Sequence, residues 1–311
     1  MNHLKSLLAA AGLALVANAA ISAPFTLGNV FVSTGVGTVI EYTPTGTVVQ
    51  TLNVGTGFIT GSTFDAAGNF YATRFSNGAL QKFNADGTSA GALVSGLPTP
   101  ESVVFDAAGN FYVGNVGGGI RKYNAAGTLL STTLGSTRID FMDLSADQST
   151  MLYTQEGTRI LRADVSTGTA LSDFSTAVDE AFALRIRANG QVLVADGSDI
   201  ELLNANGTDN TTFDIAGAGR WFALNLSADG TSFWSATTDG LVARFDIATG
   251  NVLNSWNVSG TNGVWGLSVF GEQQQGCGNN CGGGGTVPEP TSLVLVGSAL
   301  LGLALQLRRK T

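Results

Sequence analysis

A repeat of about forty residues predicts an all-β fold, a six-bladed β-propeller whose closing blade is shared between the two ends of the body. Three observations carry this. Phe64-Asp65-Ala66-Ala67-Gly68-Asn69-Phe70-Tyr71 recurs unchanged from Phe105 to Tyr112, and weaker copies begin at Leu144, Ile186 and Leu226, in steps of 41, 39, 42 and 40. A second element keeps the same step: an apolar residue, often an aromatic, then a glycine turn. It runs from Ile40 to Gly46, Leu80 to Gly87, Ile120 to Gly127, Ile160 to Gly168, Ile200 to Gly207 and Leu241 to Gly250. Finally, Gly28 to Val32 matches Gly68 to Ala72 without an inner strand before it, while Gly263 to Val269 supplies an inner strand at the far end. Self-similarity at this period, with four short strands per unit, is the signature of a propeller blade. Sharing one blade between the termini hides both sheet edges.

Taken in order, residues 1–23 read as an export leader. Lys5 gives the positive start, Leu7 to Val16 the apolar stretch, and Ala17-Asn18-Ala19 a small-x-small cleavage site. Cleavage after Ala23 would place Pro24 next, so Ala19 is preferred. The propeller is expected over 24–270. Within it, Phe70 to Thr73 and Phe111 to Gly114 read as strands, and Asp65 to Gly68 and Asn84 to Gly87 as hairpin turns. Asp65, Asp86, Asp106 and Asp229 sit where an aspartate bonds its own turn backbone, so they are turn-formers rather than ligands.

Residues 271–286 are rich in Gly and Gln and predict a flexible linker. Its Cys277 and Cys281 are the only cysteines of the chain. In an oxidising compartment they form a small disulfide loop, with pairing between molecules left open. Two thiols without further ligands nearby do not make a metal site.

Residues 287–311 combine Val287-Pro288-Glu289-Pro290, an uncharged apolar stretch from Thr291 to Leu307, and Arg308-Arg309-Lys310. As a helix, 291–307 would span about 25 Å, near the short limit for a membrane crossing. The basic end prefers the cytoplasmic side, which puts the body outside, in agreement with the leader. This tail resembles the PEP-CTERM sorting signal. The resemblance implies that an exosortase-type membrane enzyme acts on the tail, that the helix is removed, and that the protein passes through the inner membrane to the envelope, outer surface or extracellular matrix.

Composition excludes several activities. The one histidine is His3, inside the leader, so the processed chain has no Ser-His-Asp or Cys-His catalysis and no His-ligated metal. Of 15 Lys and Arg against 23 Asp and Glu, four basic residues (Lys5, Arg308, Arg309, Lys310) lie in the two ends. The acidic body has no basic stripe for nucleic acid. Glycans, exopolysaccharide and divalent cations remain acceptable partners.

A functional site would lie where the loops lead into the innermost strands. Aligned on the repeat, those positions carry Glu101, Asp140, Glu180, Arg220 and Asn262, with Asp143 inside the third inner strand. Carboxylates converging from consecutive blades can hold Ca²⁺ or Mg²⁺, and a metal-dependent lactonase or hydrolase would use such a cluster on a carbonyl or a water. Arg138, Arg185 and Arg220 lie beside these acids and offer ion pairs instead. Trp221, Phe222, Trp234, Trp256 and Trp265 read mainly as packing between blades, with Trp221 the one candidate for a ligand platform.

Pro100 to Val113 and Val192 to Gly197 resemble the NHL and gluconolactonase-like propellers. The resemblance implies a six-bladed ring, and for the lactonase branch a glutamate, asparagines and an aspartate from separate inner strands. Glu101 fits that pattern, whereas the asparagine-rich strand is missing. The reading is therefore an exported, non-catalytic binding or structural module, with the metal-dependent lactonase or hydrolase as the alternative. A permanently anchored sensor would require an uncut tail.

Overall fold

The computed structural model describes residues 22–276. The expected leader cleavage site, Cys277, Cys281, the sorting motif and the apolar stretch 291–307 lie outside the described residues. Among the described residues no helix is long and apolar enough to cross a membrane.

Six four-stranded antiparallel sheets form the ring. Blade 1 closes it: its inner strand is Val264–Val269, and its other three are Val30–Thr34, Thr38–Tyr42 and Val48–Asn53. The register Val30↔Val269, Phe31↔Ser268 and Val32↔Leu267 joins the two ends as the repeat predicts. The inner strands of blades 2 to 6 are Ile59–Phe64, Pro100–Phe105, Met142–Leu144, Leu184–Ile186 and Trp221–Leu226. Each is followed by three strands in simple meander order.

Why these residues make blades is visible in burial. The second strand of each blade is covered on both faces by neighbouring blades, so Phe70 and Tyr71, Phe111 and Tyr112, and Phe233 and Trp234 are all buried as consecutive pairs. Outermost strands lose that cover, and Val48, Val49, Leu129, Leu130, Val252 and Leu253 are exposed. The turn aspartates behave as expected. Asp65 Oδ1 accepts the N–H groups of Ala67 and Asn69, and Asp106 Oδ1 those of Ala108 and Asn110. Gly68 closes the first of these turns with φ +79°, a conformation that costs a side-chain-bearing residue energy.

The channel along the axis is nearly filled. A Cβ on Gly266 would lie 1.9 Å from the Thr60 carbonyl oxygen, and one on Gly61 2.4 Å from that of Glu101. What remains near the axis is a cavity of about 10 Å³, room for little more than one water.

The segment expected to open the flexible linker does not behave as one through Gly276. After Val269 the chain turns across the end of the channel where the inner strands finish. Glu272 and Gln274 are buried there, and the Gln148 amide donates to the Gly276 carbonyl. Composition concealed this, because a Gly/Gln-rich run carries no apolar pattern, whereas the buried partners of Glu272 are polar. The described chain ends on this face. Its start lies here too: Phe25 N–H bonds the Ala85 carbonyl and its ring packs against Phe270. We call this the tail face, and the opposite one, where the inner strands begin, the open face.

Candidate functional site

The structure brings two of the predicted acids together on the open face and adds a third. Glu101, second residue of the inner strand of blade 3, meets Asp140, which precedes the inner strand of blade 4. Glu156, in the loop after Thr150–Tyr153, completes the group, and one carboxylate oxygen from each lies within 4.8 Å of the others. Glu156 has φ +52°, a left-handed conformation uncommon for a side-chain-bearing residue. Sequence reasoning missed it, although a signal existed. Two strands after an inner-strand start the chain is back on the same face, so the Gln155-Glu156-Gly157 loop had to return there.

The group is fixed from several sides. Arg138 Nε donates to both Asp140 oxygens at 2.8 and 2.9 Å, and its NH2 reaches Glu156 at 2.5 Å. The Gln155 amide donates to the Arg138 carbonyl, and Thr154 accepts the Asp140 N–H on its carbonyl and the Phe141 N–H on its hydroxyl. Glu101 is only 4% exposed, and its carboxyl shares a hydrogen bond with that of Asp140. Burial first, and then the Asp140 charge, hold the Glu101 carboxyl well above the usual range. Burial likewise pushes Asp140 up to about 6, although Arg138 acts in the opposite direction. Solvent reaches the group on one side, where Arg138 and Glu156 keep 41% and 32% of their side chains exposed.

The remaining predicted residues do not join. Glu180 is held by the Arg220 guanidinium on an exposed part of the same face, and Arg220 lies over the Phe182 ring. Asn262 is exposed and its carbonyl accepts the Trp265 indole N–H. Asp143 lies deeper, toward the tail face. In their inner strands Asp143, Arg185 and Asn225 occupy one register position, each next to the last strand residue. Asp143 accepts the N–H groups of Leu144 and Ile186, and burial pushes it up to about 6. The expected convergence of Glu101, Asp140 and Glu180 on one point is thus replaced by Glu101, Asp140 and Glu156. The candidate platform Trp221 is fully buried and donates to Asp214. The accessible aromatics of the open face are Phe58 and Trp265, edge to face at 5.2 Å.

A second acidic group, Asp196, Asp199 and Glu201, also places its oxygens within 4.8 Å. Asp196 holds the loop that leads to Glu180 by accepting the N–H groups of Asp179 and Glu180. Asp199 and Glu201 are half-exposed, and burial followed by the neighbouring acids pushes Glu201 up to about 7.

Grooves of about 330 and 340 Å³ run between blades on the tail face, lined by turn residues such as Asp147 with Gly190, and Asp65 with Asp106. Neither includes Glu101, Asp140 or Glu156.

Residues 286–310 match the family described as the PEP-CTERM protein-sorting motif. The tail therefore carries a sorting signal that implies export and processing by an exosortase-type system. The propeller is similar to a chain in the crystal structure of a nidogen/laminin complex, with a TM-score of 0.64 at 15% identity, covering 77% of this chain and 97% of that one. At that identity the likeness shows the fold alone, and 1609 chains of solved structures match it, so it selects no activity. No curated protein matches the sequence.

Proposed function

We propose that this protein is an exported binding module, cut at its sorting signal and delivered to the cell surface or the matrix, with no catalysis of its own. The observation that carries the reading is the division of labour between the two faces. The described chain begins and ends on the tail face, which leaves the open face directed away from whatever holds the C-terminus. On the open face the polar and aromatic groups are held in place, and the cavity near the axis has room for little more than one water. Such a surface binds more readily than it converts.

Phe58 and Trp265 supply apolar ring faces beside exposed polar groups, the chemistry that stacks on sugar rings and takes their hydroxyls. A glycan or exopolysaccharide of the host envelope is the partner class this favours. The similar propeller belongs to a complex of two proteins by name, which also fits a binding role. The lactonase or hydrolase reading asked for Glu101, Asp140 and Glu180 around one cation, and the Glu180–Arg220 pair argues against it.

Affinity electrophoresis of the mature protein through gels containing the host's own polysaccharide tests the reading. Retardation that Phe58→Ala or Trp265→Ala abolishes supports it. Equal mobility with and without polysaccharide would count against the glycan class.

A further inference from the structure

We propose that the glycan bound by the open face carries carboxylates, and that Arg74 receives one of them beside the Phe58–Trp265 pair. The inference rests on the glycan reading above and narrows it to chains that contain uronate sugars.

Arg74 ends the strand Phe70–Arg74 and lies opposite Ile59 of the inner strand of blade 2. Its surroundings belong to the seam between blades 1 and 2. The Phe75 N–H bonds the Phe58 carbonyl, and the Ser76 hydroxyl accepts the Phe58 N–H. The guanidinium packs on Gly55, where a Cβ would lie 2.6 Å from both Nε and one terminal nitrogen. Only a glycine lets the arginine lie against this loop. The same loop presents Phe58, whose ring meets Trp265 edge to face at 5.2 Å.

The state of this guanidinium carries the argument. Among the described residues it has no ion pair and no hydrogen-bond acceptor, and its Nε is buried in that condition. Its terminal nitrogens stay open to solvent. Every other arginine of the described residues has an acceptor within the protein. A donor withdrawn from water and left unmade carries the cost of its desolvation, and a charged one carries more. An oxyanion brought by a ligand offsets that cost.

The charges around Arg74 select the sign of the ligand. The open-face loops of blades 1 and 2, residues 35–37, 54–58, 75–78 and 258–263, contain no Asp or Glu. The two acidic groups, Glu101 with Asp140 and Glu156, and Asp196 with Asp199 and Glu201, stand on other blades. In an otherwise acidic body this sector holds one positive charge without an opposing one. A planar carboxylate meets a guanidinium with shorter and stronger bonds than a neutral hydroxyl does. Phe58 and Trp265 then take the apolar face of a sugar ring while Arg74 takes the carboxylate.

Affinity electrophoresis through the host polysaccharide, before and after carbodiimide–borohydride reduction of its carboxylates to alcohols, tests the inference. Reduction should weaken binding of the wild type about tenfold or more, the worth of hydrogen bonds to a charged group. Arg74→Gln should show the same loss on untreated polysaccharide and no further loss on the reduced one. Its melting temperature should match the wild type, since the guanidinium makes no bond inside the protein. The comparison of the two polysaccharides on the wild type needs no variant and stands even if Arg74→Gln folds poorly. Equal retardation by both polysaccharides, still abolished by Phe58→Ala, would overturn the carboxylate and leave the glycan reading in place. Retardation that survives reduction but is lost in Arg74→Gln would overturn it in favour of another anion, such as a sulfate ester. No retardation by either polysaccharide would overturn both readings.

Discussion

Arg185 and Glu272 meet at 2.8 Å at the tail-face end of the channel, with 7% and 2% of their side chains exposed. The arginine also donates to Asn225 Oδ1, and the glutamate accepts from the Asn225 amide and the Leu226 N–H. The first residues after the last strand are thereby fastened to blades 5 and 6. The ring is closed twice, once by the strand pairing of blade 1 and once by this polar buckle.

Removing one partner of such a pair leaves an uncompensated buried charge, so Glu272→Ala should cost about 3–5 kcal/mol. The double variant Arg185→Met/Glu272→Leu should recover part of that loss, because neither charge of the pair stays buried, while Asp143 loses the guanidinium beside it. Urea denaturation of the three proteins decides it. A cost below about 1 kcal/mol for Glu272→Ala would mean that the segment is not held as described.

Asp143 gives a pH dependence with a defined sign. Burial raises its carboxyl from the usual 3.8 to about 6 in the folded protein. Below the unfolded value it is protonated in both states. Between 3.8 and about 6 the folded protein keeps a proton that the unfolded chain has released, so stability falls as pH rises through this window. The slope from one such group is at most about 1.4 kcal/mol per pH unit. Asp143→Asn keeps an oxygen for the Ile186 N–H and removes the titration, so its stability profile should be flatter between pH 4 and 6. Superimposable profiles would show that Asp143 ionises as freely as in the unfolded chain.

Gly266 is a steric requirement. The methyl group of Gly266→Ala would lie 1.9 Å from the Thr60 carbonyl oxygen, so adjacent inner strands must move apart. Overpacking of this kind typically costs about 1–3 kcal/mol, and the shift acts on the closing blade itself. A fall in melting temperature together with faster proteolysis near the termini is the expected outcome. Gly109→Ala, with nothing within 4 Å but φ +78°, separates backbone strain from crowding and should cost less.

Much of the fold was legible because the repeat is written in residues with one structural meaning each. Asp65 and Asp106 close turns through their own backbone, Gly68 takes the positive φ, and Phe70-Tyr71 fills both faces of a covered strand. The closing blade could be read from the unmatched strand at each end. The site was half legible: alignment placed Glu101 and Asp140 on one face, but the sequence does not say which acids an arginine claims. Arg220 takes Glu180, whereas Arg138 takes Asp140 and Glu156, and Glu101 bonds the Asp140 carboxyl. Glu156 is hidden because the repeat marks the entries to inner strands and not the return loops, and Glu272 because its surroundings look like a linker until the fold brings Arg185 to it.

The sorting of the chain is the central claim, and the mass and cell fraction of the native protein in its own host test it most directly. The account predicts a polypeptide that lacks the leader, ends near Pro290 and is found outside the inner membrane. A chain retaining Arg308 and Arg309 and residing in the inner membrane would contradict it.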